Sequence, residues 1–102
     1  RFERYIRQHK PFLNPDLHIT DMTAELLTNR TYLSAFINKE YGMNFSSYIN
    51  YCRLKELDKL RNTSDYAGCG GSELVQKAGF SNYKGYMRAK SEEDKRATVK
   101  ME

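Results

Sequence analysis

Apolar residues recur at intervals of three and four along most of this chain, and the strict alternation typical of a β-strand is absent. The pattern predicts helices over 1–9, 21–27, 30–41, 45–61, 73–78 and 82–90. Pro11 and Pro15 bracket a loop after the first of these, and a glycine-rich loop is expected over 62–71. The sequence therefore predicts an all-α fold.

The helix ends are predicted from residues that cap helices well. The candidate N-caps are Thr20 for 21–27, Asn29 for 30–41, Asn44 or Ser46 for 45–61, and Ser72 for 73–78. Gly42 is a natural terminator for the helix before it. The charged tail, 91–102, is compatible with both a helix and disorder, because Ser91-Glu92-Glu93-Asp94 is a fair helix start but large apolar residues are few.

Four of the short helices form two pairs, 21–27 with 30–41 and 73–78 with 82–90, one on each side of the long helix 45–61. Each pair has the organisation of a helix-turn-helix unit. At about 1.5 Å per residue the long helix is a rod of about 25 Å, which could hold two small units at a fixed separation. The predicted organisation is a first helix-turn-helix subdomain over 1–44, a linker helix over 45–61, a second subdomain over 62–90 and a charged tail over 91–102.

The distribution of charge favours an anionic partner. The chain has 102 residues and a net charge of +4, with 39% hydrophobic and 29% charged residues. These values suit one small domain, or two very small ones that share an element. Residues 77–91 contain Lys77, Lys84, Arg88 and Lys90 but no acid, and 28–39 also lacks acids. A generic solvated face usually mixes signs, so we interpret both stretches as functional.

Metal and catalytic chemistry have little support in the sequence. Cys52 and Cys69 are too few for a disulfide framework and suggest a reducing compartment, with Cys52 as a small core residue. Together with His9 and His18 they show no zinc-binding spacing, so no metal or cofactor is expected. No arrangement of nucleophile, base or paired carboxylates stands out, and an enzyme is the least supported class.

Several segments, in order and spacing, carry a resemblance to a known family. They are Asn29-Arg30-Thr31-Tyr32-Leu33-Ser34, Ile37-Asn38-Lys39-Glu40-Tyr41-Gly42-Met43-Asn44-Phe45, Tyr48-Ile49, Arg53-Leu54 and Ala78-Gly79-Phe80-Ser81-Asn82-Tyr83. Over roughly 12–90 the chain resembles the DNA-binding domain of AraC/XylS-type bacterial transcriptional regulators. The resemblance implies a homeodomain-like fold with two helix-turn-helix subdomains joined by a long linker helix, each placing one recognition helix in a major groove.

The resemblance also implies which residues face DNA. In the first recognition helix, 30–41, the matching positions are Arg30, Thr31, Ser34, Ala35 and Asn38. In the second, 82–90, they are Tyr83, Lys84, Met87 and Arg88. Phosphate contacts are expected from Arg30, Lys39, Lys84 and Lys90, and groove contacts above all from Arg30 and Arg88.

The chain departs from the family pattern in its second subdomain. Lys90 stands where the family has a core Phe, and the closing Gly-x-Thr-Pro-x-x-Tyr segment is absent. A buried, unpaired Lys is costly, so Lys90 must reach solvent. We therefore expect a truncated or degenerate second subdomain that is looser than the first. In the first, Ala35 replaces a larger polar or basic residue, which leaves more of the recognition to Arg30.

The sequence as a whole predicts a sequence-specific DNA-binding module of a bacterial transcriptional regulator. The alternative is a helical protein-interaction module that keeps the fold but has lost DNA binding. The expected partners are double-stranded DNA, an upstream sensor or dimerisation domain of the same polypeptide and, as a candidate, RNA polymerase. The module is expected in the cytoplasm, whether or not the full-length protein is anchored to a membrane.

Overall fold

The structure, a computed structural model, describes residues 1–63, 68 and 70–101, and these form helices and no strand. The helices are α1 (Phe2–His9), α2 (Ile19–Leu26), α3 (Arg30–Tyr41), α4 (Phe45–Arg61), α5 (Gly71–Lys77) and α6 (Tyr83–Met101), with a short 3-10 turn at Pro11–Leu13. The prediction of an all-α fold is confirmed. The loop predicted over 62–71 lies partly outside the described residues, as does Cys69.

The predicted ends of α3 and the predicted start of α4 are confirmed by their capping contacts. Asn29 Oδ1 accepts a hydrogen bond from the backbone amide of Tyr32 at 2.8 Å, which satisfies one of the free amides in the first turn of α3. Asn44 does the same for the amide of Ser47 at 2.9 Å at the start of α4. Gly42 ends α3 with φ of 67°, in the left-handed region that glycine adopts readily.

Two predicted N-caps are wrong. Helix α2 begins two residues earlier than expected, because the His18 amide donates to Asp21 Oδ2 at 2.8 Å and makes His18 the cap. Thr20 therefore lies inside the helix. Helix α5 is capped by Gly70, whose carbonyl accepts from the amide of Leu74, so Ser72 also lies inside its helix. At both sites the helix begins two residues before the position that the better capping side chain predicts, so residue type alone does not select the cap.

The predicted end of the last helix near residue 90 is also wrong, because α6 continues to Met101. The continuation carries pairs of opposite charge one turn apart, Lys90 with Asp94 at 3.2 Å and Arg96 with Glu93 at 2.6 Å. It also contacts α4, where Ser47 Oγ donates to Glu92 Oε1 at 3.2 Å. The sequence was compatible with both a helix and disorder for the tail, and the described residues of the tail form a helix.

Two separate hydrophobic clusters form the interior, and both include residues of α4. The first core cluster consists of Phe2, Ile6, Phe12, Met22, Leu33, Ile37, Tyr48, Ile49 and Cys52. The second core cluster consists of Leu57, Leu74, Val75, Ala78, Phe80, Tyr86 and Ala89. The first uses the N-terminal half of α4 and the second uses its C-terminal half. Cys52 is buried in the first cluster, as the sequence predicts.

Candidate nucleic-acid interface

Helix α3 presents a polar and basic face on the side away from its buried residues. Its buried residues are Leu33 and Ile37, one turn apart. Of the residues predicted to face DNA, Arg30, Thr31, Ala35 and Asn38 are exposed and Ser34 is half-buried. They therefore share a surface, as their spacing predicts.

The Asn38 side chain is partly committed to its own helix. Its Nδ2 donates to the carbonyl oxygen of Ser34 at 3.0 Å. This bond holds the amide along the helix surface, so Asn38 is less available for an outside partner than Arg30. Arg30 has no acidic partner within the part of the chain that the structure describes.

The first turns of α6 form a second exposed face. Asn82 Oδ1 accepts from the amide of Gly85 at 2.8 Å and thereby caps the helix. The side chains of Tyr83, Lys84, Met87 and Arg88 are all exposed, whereas Tyr86 and Ala89 are buried on the opposite side. The structure thus places the predicted residues of α6 on one surface, next to the amino-terminal end of the helix, where the dipole favours an anion.

A basic recess of about 310 Å³ lies between α4 and the start of α6. The residues that line it are Asn50, Arg53, Phe80, Ser81, Asn82, Lys84, Gly85, Arg88 and Ala89. Lys84 and Arg88 belong to the predicted set, but Asn50 and Arg53 of α4 do not. Their spacing of three residues on α4 was the available signal, because it puts both side chains on one face of that helix.

Arg53 forms part of the wall of this basic recess and is held there by three hydrogen bonds. Its Nε donates to the carbonyl oxygen of Phe12 at 2.7 Å, and its Nη2 donates to that of Asn14 at 2.8 Å. Its Nη1 donates to Asn50 Oδ1 at 3.1 Å. Burial lowers the pKa of the Arg53 guanidinium, although arginine stays charged in proteins. In contrast, neither Lys84 nor Arg88 has an acidic partner among the described residues.

Lys90 reaches solvent, as predicted from the cost of burying an unpaired lysine. Its side chain is 53% exposed and lies 3.2 Å from Asp94. The residue of this turn that enters the second core cluster is Ala89 instead. The predicted phosphate contact from Lys90 would therefore compete with Asp94, so Lys84 and Arg88 are the more available cations of α6.

No group of three His, Cys, Asp or Glu residues close enough to hold a metal occurs in the described ranges. His9 and His18 are both exposed. Within the same ranges, no helix has the length and apolar character needed to cross a membrane.

Comparison with known proteins bears on the fold of the chain. No family model and no curated protein matches the chain. The solved structure of a protein of unknown function from Listeria innocua superimposes with a TM-score of 0.65 at 22% identity, covering 86% of this chain and 78% of that one. The likeness between the two proteins is one of fold, at low sequence identity.

Proposed function

We propose that this chain is a sequence-specific DNA-binding module of a bacterial transcriptional regulator. In this proposal α2–α3 and α5–α6 are two helix-turn-helix units, and α3 and α6 enter successive major grooves. The observation that carries it is the pair of exposed basic faces, one on α3 and one on the first turns of α6. The buried residues of α3 belong to the first core cluster, and those at the start of α6 belong to the second.

The chemistry of the two faces suits DNA in different ways. The face of α3 combines Arg30 with small and polar residues, which allows close approach to base edges and phosphates. The face of α6 offers longer side chains, among them Arg88, and a guanidinium can make a bidentate contact to guanine. Lys39 and Lys84 are exposed and suited to phosphate contacts. No cofactor or metal is part of the proposal.

The dimensions of the molecule are compatible with two adjacent grooves. Its principal extents are 41 × 35 × 21 Å. Successive major grooves on one face of DNA are about 34 Å apart, which is shorter than the longest extent. The proposed partners are double-stranded DNA, an upstream sensor or dimerisation domain and RNA polymerase.

The salt dependence of DNA binding tests this proposal. Duplexes enriched from random DNA are titrated with the wild-type chain and with Arg30→Ala plus Arg88→Ala at several salt concentrations. The affinity of the wild type should fall steeply with salt, with a log–log slope of about −0.9 for each phosphate contact, and the double variant should bind far more weakly. Arg4→Ala is a matched control, because Arg4 is an exposed arginine on α1 outside the proposed interface. Equal affinity of the double variant and the control would contradict the proposal.

One observation favours the alternative, a helical protein-interaction module. Leu27 is 82% exposed and Tyr32 is 65% exposed, beside a recess of about 610 Å³ that Leu26 and Phe36 also line. An exposed apolar patch often marks a protein-binding surface. If a protein partner binds this patch, Leu27→Ser should abolish its binding and Arg30→Ala plus Arg88→Ala should leave it unchanged. If the chain binds DNA instead, the double arginine variant should lose DNA affinity and Leu27→Ser should retain it.

A further inference from the structure

The turn between α5 and α6 lies directly against the 3-10 turn that follows α1. Gly79, in the first of these turns, has φ of 109°. A Cβ atom added there would overlap the carbonyl oxygen of Phe12 and would lie 3.0 Å from the Cα of Leu13. The backbone of the α5–α6 turn therefore packs against the backbone of the 3-10 turn. Because Phe12 belongs to the first core cluster and Phe80 to the second, this contact connects the two clusters.

Arg53 crosses this contact from α4. Its bonds to the carbonyl oxygens of Phe12 and Asn14 join α4 to the 3-10 turn and the residue after it, 41 and 39 residues earlier in the chain. The guanidinium also lies 5.9 Å from the centre of the Phe80 ring, and its Nε is 3.0 Å from the place of a Cβ at Gly79. We call this set, Phe12, Asn14, Arg53, Gly79 and Phe80, the junction.

The junction has a mechanical consequence. If α4 were the only connection, the α5–α6 pair would be held through one helix alone, by the second core cluster and by the hydrogen bond from Ser47 to Glu92. A second contact that is rich in backbone atoms, together with two short hydrogen bonds from one planar group, restricts the pair further. The relative position of α3 and α6 is then set by contacts with two segments, α4 and the 3-10 turn, instead of with α4 alone.

We propose that the junction is a positioning device that holds α3 and α6 at one separation and one rotation, so that the chain accepts two half-sites at a single spacing. This inference rests on the proposed DNA-binding function. Arg53 is the positioning residue, because it contacts both sides of the junction and because its guanidinium, although it lines the basic recess, is committed to the carbonyl oxygens of Phe12 and Asn14. It acts on the DNA through α3 and α6.

Selection of DNA sequences tests the junction separately from DNA binding itself. Random duplex DNA is selected with the wild type, with Arg53→Gln, which loses the two carbonyl contacts, and with Arg61→Gln. Arg61 is the matched control, because it is an arginine on the same helix that donates to the Tyr86 hydroxyl at 3.2 Å. That hydrogen bond joins α4 to α6 and does not involve the 3-10 turn. Helix content and thermal unfolding of each variant are measured alongside.

The wild type and Arg61→Gln should enrich two motifs at one spacing. Arg53→Gln should enrich the same two motifs at several spacings, and its affinity for the wild-type spacing should fall on the order of 10-fold, since the effective concentration of the second unit at its half-site falls. A purely structural role of Arg53 would lower stability and leave the spacing distribution narrow.

The outcomes separate the two proposals. If the wild type enriches no motif, both the proposed function and the junction proposal are wrong. If Arg53→Gln enriches both motifs at the single wild-type spacing, the junction proposal is wrong and DNA binding stands. If Arg53→Gln does not fold, Arg53→Lys is used instead, because a single ammonium keeps the charge but cannot reproduce the paired hydrogen bonds of the planar guanidinium. A distribution as narrow as that of the wild type would again contradict the junction proposal.

Discussion

The carbonyl oxygen of Phe12 occupies the space that a side chain at Gly79 would need. The two residues are far apart in sequence, and each lies in a turn, so the contact joins loops instead of helix faces. Gly79 also has a positive φ, which L-residues with a Cβ adopt at a cost. Gly42 offers a direct comparison, because its φ is 67° but a Cβ there would meet nothing within 4 Å.

Gly79→Ala should destabilise the chain much more than Gly42→Ala. At Gly42 the cost is conformational, about 1 kcal/mol. At Gly79 the backbone overlap adds to it, and we expect a total of about 3 kcal/mol or more. Urea unfolding of both variants measures the difference in free energy of unfolding. Equal values would mean that the turn between α5 and α6 can move away from Phe12 without loss.

Lys90→Ala should leave stability almost unchanged, whereas Ala89→Lys should be severely destabilising. The pair of Lys90 and Asp94 is exposed and should contribute about 0.5 kcal/mol or less. Ala89 is 3% exposed within the second core cluster, so a lysine there would overfill the site and bring a charge with it, at a cost of about 3 kcal/mol or more. Thermal unfolding ranks the two variants. The opposite ranking would show that α6 buries position 90.

The free energy of unfolding should decrease at alkaline pH because of groups in the first core cluster. Burial raises the pKa of the Tyr48 hydroxyl and of the Cys52 thiol. A raised pKa in the folded state gives stability that is fully present below the unfolded pKa, about 8.5 for Cys and about 10 for Tyr, and is lost as pH rises further. Urea midpoints should therefore fall from about pH 8.5 upward.

The variant Tyr48→Phe identifies the source of this pH dependence. It lacks the buried hydroxyl, so its urea midpoint should fall less between about pH 9 and 11 than that of the wild type. Tyr32→Phe, at a tyrosine that is 65% exposed, is the control and should follow the wild type. If the Tyr48→Phe and wild-type curves stay parallel, the loss of stability has another cause.

Asn29→Ala should cost about 1 kcal/mol, because it removes the acceptor for the amide of Tyr32 in the first turn of α3. Asn29→Ser should recover most of the loss, since a serine hydroxyl caps helices nearly as well. Guanidinium unfolding of the three proteins provides the comparison. A serine variant as weak as the alanine variant would indicate that Asn29 acts through something other than the cap.

The amino-acid sequence by itself determined those features that depend on neighbours within one or two turns. Helices α3 and α4 begin and end where periodicity and the capping residues Asn29, Asn44 and Gly42 indicate, because these signals act over three or four residues. The exposed face of α3 also follows from the spacing of its inward residues, whereas the residues of the α6 face were implied by the resemblance. Where two local signals compete, as at the starts of α2 and α5, the sequence was not sufficient.

Only the tertiary structure decided how these helices are held together. The bonds from Arg53 to the carbonyl oxygens of Phe12 and Asn14 span about 40 residues, and the close approach of Phe12 to Gly79 spans more. No pattern in the sequence predicts such a contact, because every residue has the same backbone carbonyl group. The same holds for α6, whose continuation past residue 90 contacts α4 through Glu92 and Ser47. Local chemistry defines each helix and its faces, and contacts between distant segments set where those faces lie.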